Sequence, residues 1–142
     1  MRKKENMLKI ISYLRRNARM PKVRIAEELG VTETAVRKRI KRLEEHGIIL
    51  GYRAIIDYRK IGMVCSYTGI DVEPETLLSI VRKLRENKQI TSLYLTSGDH
   101  DLLVEIIANN INELEKIHDE ISRINGVKRI CPAIITEVII LK

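Results

Sequence analysis

The second half of this chain carries a faint internal duplication, and few folds accommodate it. A shift of 37 residues lays Leu77 on Leu114, Ile80 on Ile117, Leu84 on Ile121, Ile90 on Val127 and Leu93 on Ile130. Each copy sets an apolar stripe of helical spacing ahead of a short aliphatic and β-branched run. A strand is expected over residues 63–72, then a helix opened by Pro74 with Leu77, Ile80, Val81 and Leu84 inward. A strand over 90–96, a turn at Ser97-Gly98-Asp99-His100 and a strand over 101–108 follow. The second helix turns Ile111, Leu114, Ile117, Ile121 and Ile124 inward, Gly126 breaks it, and residues 127–141 form the last strand. The order is βαββαβ, and two such units side by side give a ferredoxin-like sandwich with both helices on one face of an antiparallel sheet. Strands so rich in Ile and Val should not leave the other face in water, so that face is expected to pair with a second subunit.

The first half follows a different pattern. Met7, Leu8, Ile11 and Leu14 have helical spacing; Pro21 opens a second helix with Ile25, Ala26 and Leu29 inward, and Gly30 supplies a sharp turn. Thr32 or Thr34 is placed to cap a third helix that runs to His46 and ends at Gly47. In that helix Val36, Ile40 and Leu43 recur at i, i+4 and i+7, while Arg37, Lys38, Arg39, Lys41 and Arg42 fill the outward arc. Residues 48–57 read as a strand, either a wing or a linker leading away. The expected fold class is therefore α+β: a winged helix-turn-helix domain over 1–57, a linker at 58–62 and the ferredoxin-like domain over 63–142.

Charge separates along the same boundary. Residues 1–60 carry 17 Lys/Arg against 7 Asp/Glu, a net +10, and residues 61–142 carry 9 against 12, a net −3, which together give the chain's +7. Surface solubility explains a mild excess but not this contrast, which suggests a polyanion-binding domain joined to one with other business. No stretch approaches the ~20 apolar residues of a membrane span, and Lys9, Arg15 and Arg16 interrupt any secretory core near the start. No membrane association and a cytoplasmic location are expected. Cys65 and Cys131 are too few and too distant for a disulfide framework or zinc site and read as buried free thiols. His46, His100 and His118 sit on separate elements with no ligand spacing, so no metal or cofactor is implied, and no nucleophile–base constellation supports an enzyme.

A cationic helix projected by a turn suits the major groove of double-stranded DNA, where side chains reach base edges and phosphates together. Thr34 lies at the helix end that usually meets bases, and Arg37 has the fork to pair with guanine. Lys38, Lys41 and Arg42, with Arg39 in support, suit phosphates, as do Lys22 and Arg24 at the start of the second helix. A solvated basic face is the bland alternative for one helix; the turn and the charge segregation favour DNA. A DNA-packaging protein of low sequence specificity would use the same helix and remains the alternative function.

Several strings resemble the Lrp/AsnC (feast/famine) transcription regulators across essentially the whole chain. They are Ala18-Arg19, Ile25-Ala26 with Leu29-Gly30-Val31, Ala35-Val36-Arg37-Lys38-Arg39-Ile40, Leu43-Glu44-Glu45, Gly47-Ile48-Ile49, Gly51-Tyr52 and Ile61-Gly62. In the second half Ser97-Gly98-Asp99-His100-Asp101 matches the family's glycine–aspartate loop. One departure is that Lys4 and Met7 stand where the family usually has acidic residues at the start of the first helix. The resemblance implies a sequence-specific regulator whose second domain forms homodimers that assemble to tetramers or octamers. It also implies an amino-acid effector bound between subunits near Gly98, Asp99 and Asp101, with Thr96, Ser97 and His100 nearby and Thr136 a further candidate. A carboxylate there suits the ligand's ammonium group, and backbone N–H groups at the glycine turn suit its carboxylate.

Overall fold

The computed structural model describes residues 2–142 in two compact units, one ending at Ile55 and the other spanning Ile56–Leu141. The first contains α1 (Arg2–Arg16), α2 (Lys22–Leu29) and α3 (Glu33–Glu45). Ile10, Ile25 and Val36 are wholly buried at its centre, each contributing about 1.5–3 kcal/mol relative to an exposed side chain. Ile10 takes the place expected of Leu8, which is 54% exposed. With Met7, Ile11 and Leu14 packing beside Ile10, the stripe falls at i, i+3, i+4 and i+7, and Leu8 lies off it.

Gly30 closes α2 at φ 64°, its N–H turned back to the carbonyls of Ala26 and Glu27. Of the two candidate caps for α3, Thr32 serves: its backbone is extended and its hydroxyl accepts from Ala35 N at 3.1 Å. Val36, Ile40 and Leu43 form the buried stripe as expected. The strand expected over 48–57 is absent. Ile48 and Ile49 fold back, both N–H groups donating to Leu43 O at 2.9 and 3.0 Å, and Ile49 packs on the helical core. From Leu50, which is 92% exposed, to Asp57 the chain has no regular structure. A strand needs a neighbour to take its N–H and C=O groups, and among the described residues none lies beside this segment.

The second unit opens with a 3₁₀ turn, Tyr58–Ile61, and contains β1 (Val64–Val72), α4 (Leu77–Glu86), β2 (Ile90–Leu95), β3 (Leu102–Ala108), α5 (Ile111–Ser122) and β4 (Val127–Ile134). The sheet order is β2-β3-β1-β4, every pair antiparallel, which is the ferredoxin-like arrangement. All ten residues related by the 37-residue shift belong to its aliphatic core or pack against it. Ile111 does not join them; it stands exposed at the start of α5. That helix is capped by Asn110, whose side chain accepts from Glu113 N at 2.8 Å, while Glu113 accepts from Asn109 N at 2.7 Å.

The last strand is shorter than the expected 127–141. Its register runs from Val72–Val127 to Ser66–Ile134, and Ile135 N still donates to Cys65 O at 2.9 Å. Beyond that point β1 has not yet begun, so the chain runs past its neighbour and leaves Ile139, Ile140 and Leu141 exposed.

The face of the sheet away from the helices is less apolar than its strand composition suggests. In β3 the alternation turns Leu102, Val104, Ile106 and Ala108 toward the helices, all buried. The opposite face mixes Leu103 and Ile107 with polar groups. Tyr67 Oη, Thr91 Oγ1 and Ser92 Oγ donate to the Glu105 carboxylate at 2.5, 2.6 and 3.3 Å. One polar cluster lies inside the core instead: His118 Nε2 lies 3.1 Å from Ser66 Oγ and 3.0 Å from Thr68 Oγ1. Burial holds this imidazole below its ordinary pKa, against a weaker upward pull from Glu115.

Candidate nucleic-acid interface and ligand loop

On α3 the exposed cations are Arg37, Lys38, Lys41 and Arg42, with Thr34 exposed in the first turn. Arg39 departs from the expected outward arc. It is half-buried, and its Nη1 is enclosed without a hydrogen-bond partner. The position flanks the Val36–Ile40 stripe, so its aliphatic stem covers apolar surface. On α2 Arg24 is exposed and Lys22 half-buried. Lys41 reaches Glu45 at 3.9 Å, a loose exposed pair.

Arg37 is more tightly held. Glu33 Oε1 accepts from its Nη2 at 2.6 Å and its Nε at 3.1 Å. Inspection of the cations alone misses Glu33; the signal was an acid four residues ahead of an arginine on one helix face. Thr32 capping and the Gly30 turn fix where this end of the helix begins, so Thr34, Glu33 and Arg37 share its first turns.

The loop between β2 and β3 brings residues 96–101 together, but most of its polar groups are already engaged. Thr96 Oγ1 donates to His100 O at 2.7 Å, and Thr96 N to Asp101 O at 2.9 Å. Asp101 fastens the loop to the sheet: its N donates to Ile70 O at 3.1 Å and its Oδ2 accepts from Val72 N at 2.9 Å. The His100 ring lies against Gly69, where an added Cβ would collide with ring carbon Cδ2. Its Nδ1 is 2.9 Å from Asp71 Oδ1, and Arg129 Nε donates to the other oxygen at 3.2 Å. The His100 hydrogen bond holds the Asp71 carboxyl below its usual range against the opposing effect of burial, with smaller help from the charges of His100 and Arg129. Ser97, Gly98 and Asp99 form the exposed tip, with Gly98 at φ 111°.

Thr136 is not brought to this loop. Ile70 at the loop end of β1 pairs with Ile130, and Ser66 with Ile134. Thr136 therefore lies toward the opposite end of the sheet, about six residues or roughly 20 Å of strand from Ile130. Asp71 and Arg129 are neighbours that no local spacing announces, being 58 residues apart.

An open groove of about 690 Å³ lies at that opposite end, lined in part by Met63, Lys83, Asn87, Gln89, Ile107 and Glu113. Of its two acids, Glu86 and Glu113, the second is engaged, since Gln89 Nε2 donates to Glu113 at 2.5 Å. Both cysteines are free; Cys65 is buried, with its thiol pushed up to about 11 by burial and then by Glu105. Cys131 is only half-buried, correcting the expectation for that residue. Among the described residues no three His, Cys, Asp or Glu side chains cluster to hold a metal, and no helix is long and apolar enough to cross a membrane.

Comparison with known proteins agrees with this division. Residues 3–49 match a winged helix-turn-helix DNA-binding model, and residues 65–140 match the Lrp/AsnC ligand binding domain. The HTH-type transcriptional regulator LrpA of Pyrococcus horikoshii is 45% identical over 130 residues, covering 90% of this chain and 92% of the relative. The solved leucine response regulatory protein of Mycobacterium tuberculosis aligns with a TM-score of 0.78 at 21% identity, covering 96% of this chain and 94% of that one. A transcriptional regulator of Neisseria meningitidis solved in complex with L-Met aligns with a TM-score of 0.75 at 18% identity, covering 96% and 91%.

Proposed function

This chain belongs to the Lrp/AsnC family of transcriptional regulators, and we propose that it reads its operator through α3 and answers to an amino acid held by the β2–β3 loop. As a family member it is a DNA-binding regulator and not an enzyme. The proposal concerns which residues act. Thr34 and Arg37 face bases; Lys38, Lys41 and Arg42 meet phosphates, with Arg39 reaching the backbone beside them. Lys22 and Arg24 grip phosphates from the start of α2. The carrying observation is the capped, solvent-facing basic arc of α3 in a half of the chain with a net +10. Guanidinium and ammonium groups there displace counterions from phosphates, so binding weakens with salt.

For the effector, Asp99 is the exposed carboxylate of the loop tip and suits the ligand's ammonium group, while the Gly98 turn offers backbone N–H groups to its carboxylate. Thr96, Ser97, His100 and Asp101 shape that tip. Thr136 contributes only from a neighbouring subunit. A relative solved with L-Met and another named for its leucine response support an amino acid as ligand. Homodimers assembling to tetramers or octamers complete the reading, with paired α3 helices meeting half-sites about one turn, ~10 bp, apart. Regulation then requires the ligand to prefer one assembly over another.

Selection of bound fragments from genomic DNA, with and without a mixture of amino acids, tests the whole reading. A short recurrent motif whose occupancy responds to the mixture is expected. Diffuse recovery of all sequences identifies a packaging protein instead. Calorimetry against each of the twenty amino acids tests the effector alone, and no heat from any of them removes it.

A further inference from the structure

We infer that Glu33 is a positioning residue for base readout, holding the Arg37 guanidinium so that only its outer fork is presented to DNA. This rests on the reading of α3 as the base-contacting helix. An arginine offers five N–H donors in a fixed plane. Glu33 Oε1 takes the Nε–H and one Nη2–H of Arg37, at 3.1 and 2.6 Å. What remains is the second Nη2–H beside the two Nη1–H groups, an end-on fork that matches the paired O6 and N7 acceptors of guanine. The side chain that bears it is 59% exposed, so the fork has access to solvent and to a ligand.

The chemistry around the pair makes a purely electrostatic role a poor fit. Glu33 is the acidic residue in the first turn of α3, where a carboxylate favours the helix by interacting with its N-terminal dipole. The same charge repels the phosphates that the neighbouring cations attract. Helix stability alone does not require this site, because Thr32 already caps the same turn. Lys38 and Arg42, exposed and without an ion-pair partner among the described residues, carry no such restraint, which suits phosphate contacts that need no fixed geometry. The cation best suited to guanine is instead the one fixed at 2.6 Å by a carboxylate. Fixing it beforehand removes rotamers that would otherwise be lost on binding.

The test is selection from a random duplex library with the wild-type protein, E33Q, R37A and the double variant, each first shown to keep its helix content. Positioning predicts that E33Q flattens the preference at one base pair per half-site by about five- to tenfold, while affinity for random DNA rises. It also predicts that R37A flattens the same position and that E33Q adds nothing further in the R37A background. Equal gains for selected and random DNA in E33Q, with the motif unchanged, would mean that Glu33 acts by charge alone and overturn the inference. If R37A itself leaves the motif intact, the underlying assignment of Arg37 fails, and the inference with it.

Discussion

The basic arc of α3 and the polar loop between β2 and β3 are both rich in functional-looking side chains, yet the structure treats them in opposite ways. On α3, four of the five cations are exposed, and the two ion pairs they make lie along the helix surface. In the loop, Thr96, His100 and Asp101 are bonded inward to the sheet and to one another, leaving only Ser97, Gly98 and Asp99 at the tip. Side-chain identity alone ranks Asp99 and Asp101 as equals. Hydrogen bonding separates them, because a carboxylate already accepting from Val72 N is poorly placed to receive a ligand's ammonium group. The helix displays its chemistry, while the loop uses most of its own to hold its shape.

The largest expected effect lies in the second unit's core, on the strand that follows the loop. Ile106 is wholly buried in the second unit's core, so Ile106→Ala should lower stability by about 2–5 kcal/mol in denaturant unfolding. Next comes the exposed arc: replacing Arg37, Lys38 and Arg42 together by alanine should weaken DNA binding by roughly a hundredfold at low salt and flatten its salt dependence. Circular dichroism of that variant should remain unchanged, since none of the three packs in the core. A loss of helicity instead would erase the contrast between a displayed and a structural surface.

His118 gives a pH effect confined to the second unit. Its folded pKa is lowered by burial, so the unfolded chain binds its proton more readily. Stability is then unaffected by this group well above pH 6.5 and falls as pH drops through that unfolded value, by at most about 1.4 kcal/mol per unit. Thermal unfolding across pH 5–8 should show this slope, and H118Q should flatten it. Smallest is the helix cap: Thr32→Ala removes the acceptor for Ala35 N and should cost about 1 kcal/mol. It should affect the first unit's unfolding and leave the loop's amide protection unchanged.

Much of the architecture was legible because period and chirality restrict it. The duplicated stripes at Leu77, Ile80 and Leu84 and at Leu114, Ile117 and Ile121 recur as core positions, and the sheet order follows from two βαβ units. The missing strands have one physical origin: strand propensity does not supply a partner. Residues 50–57 and 136–141 have the composition of strands, but β1 begins at Val64 and neither segment is paired into a sheet among the described residues. Ile111 stands exposed in the first turn of α5, and Leu8 lies beside the α1 stripe that Met7, Ile10, Ile11 and Leu14 form. In the candidate sites the cations of α3 are readable as a pattern, whereas Arg39's partial burial and the Glu33–Arg37 bond depend on packing and rotamer that composition does not show. The Asp71–His100–Arg129 contact depends on strand register across three segments and left no local trace.

The measurement that bears most directly on this account is the affinity of the whole protein for duplex DNA, titrated by fluorescence anisotropy from low to physiological ionic strength. The account predicts a firm complex at low salt that weakens steeply, with log Kd linear in log salt. Absence of a complex at low salt, or an affinity indifferent to salt, would contradict it.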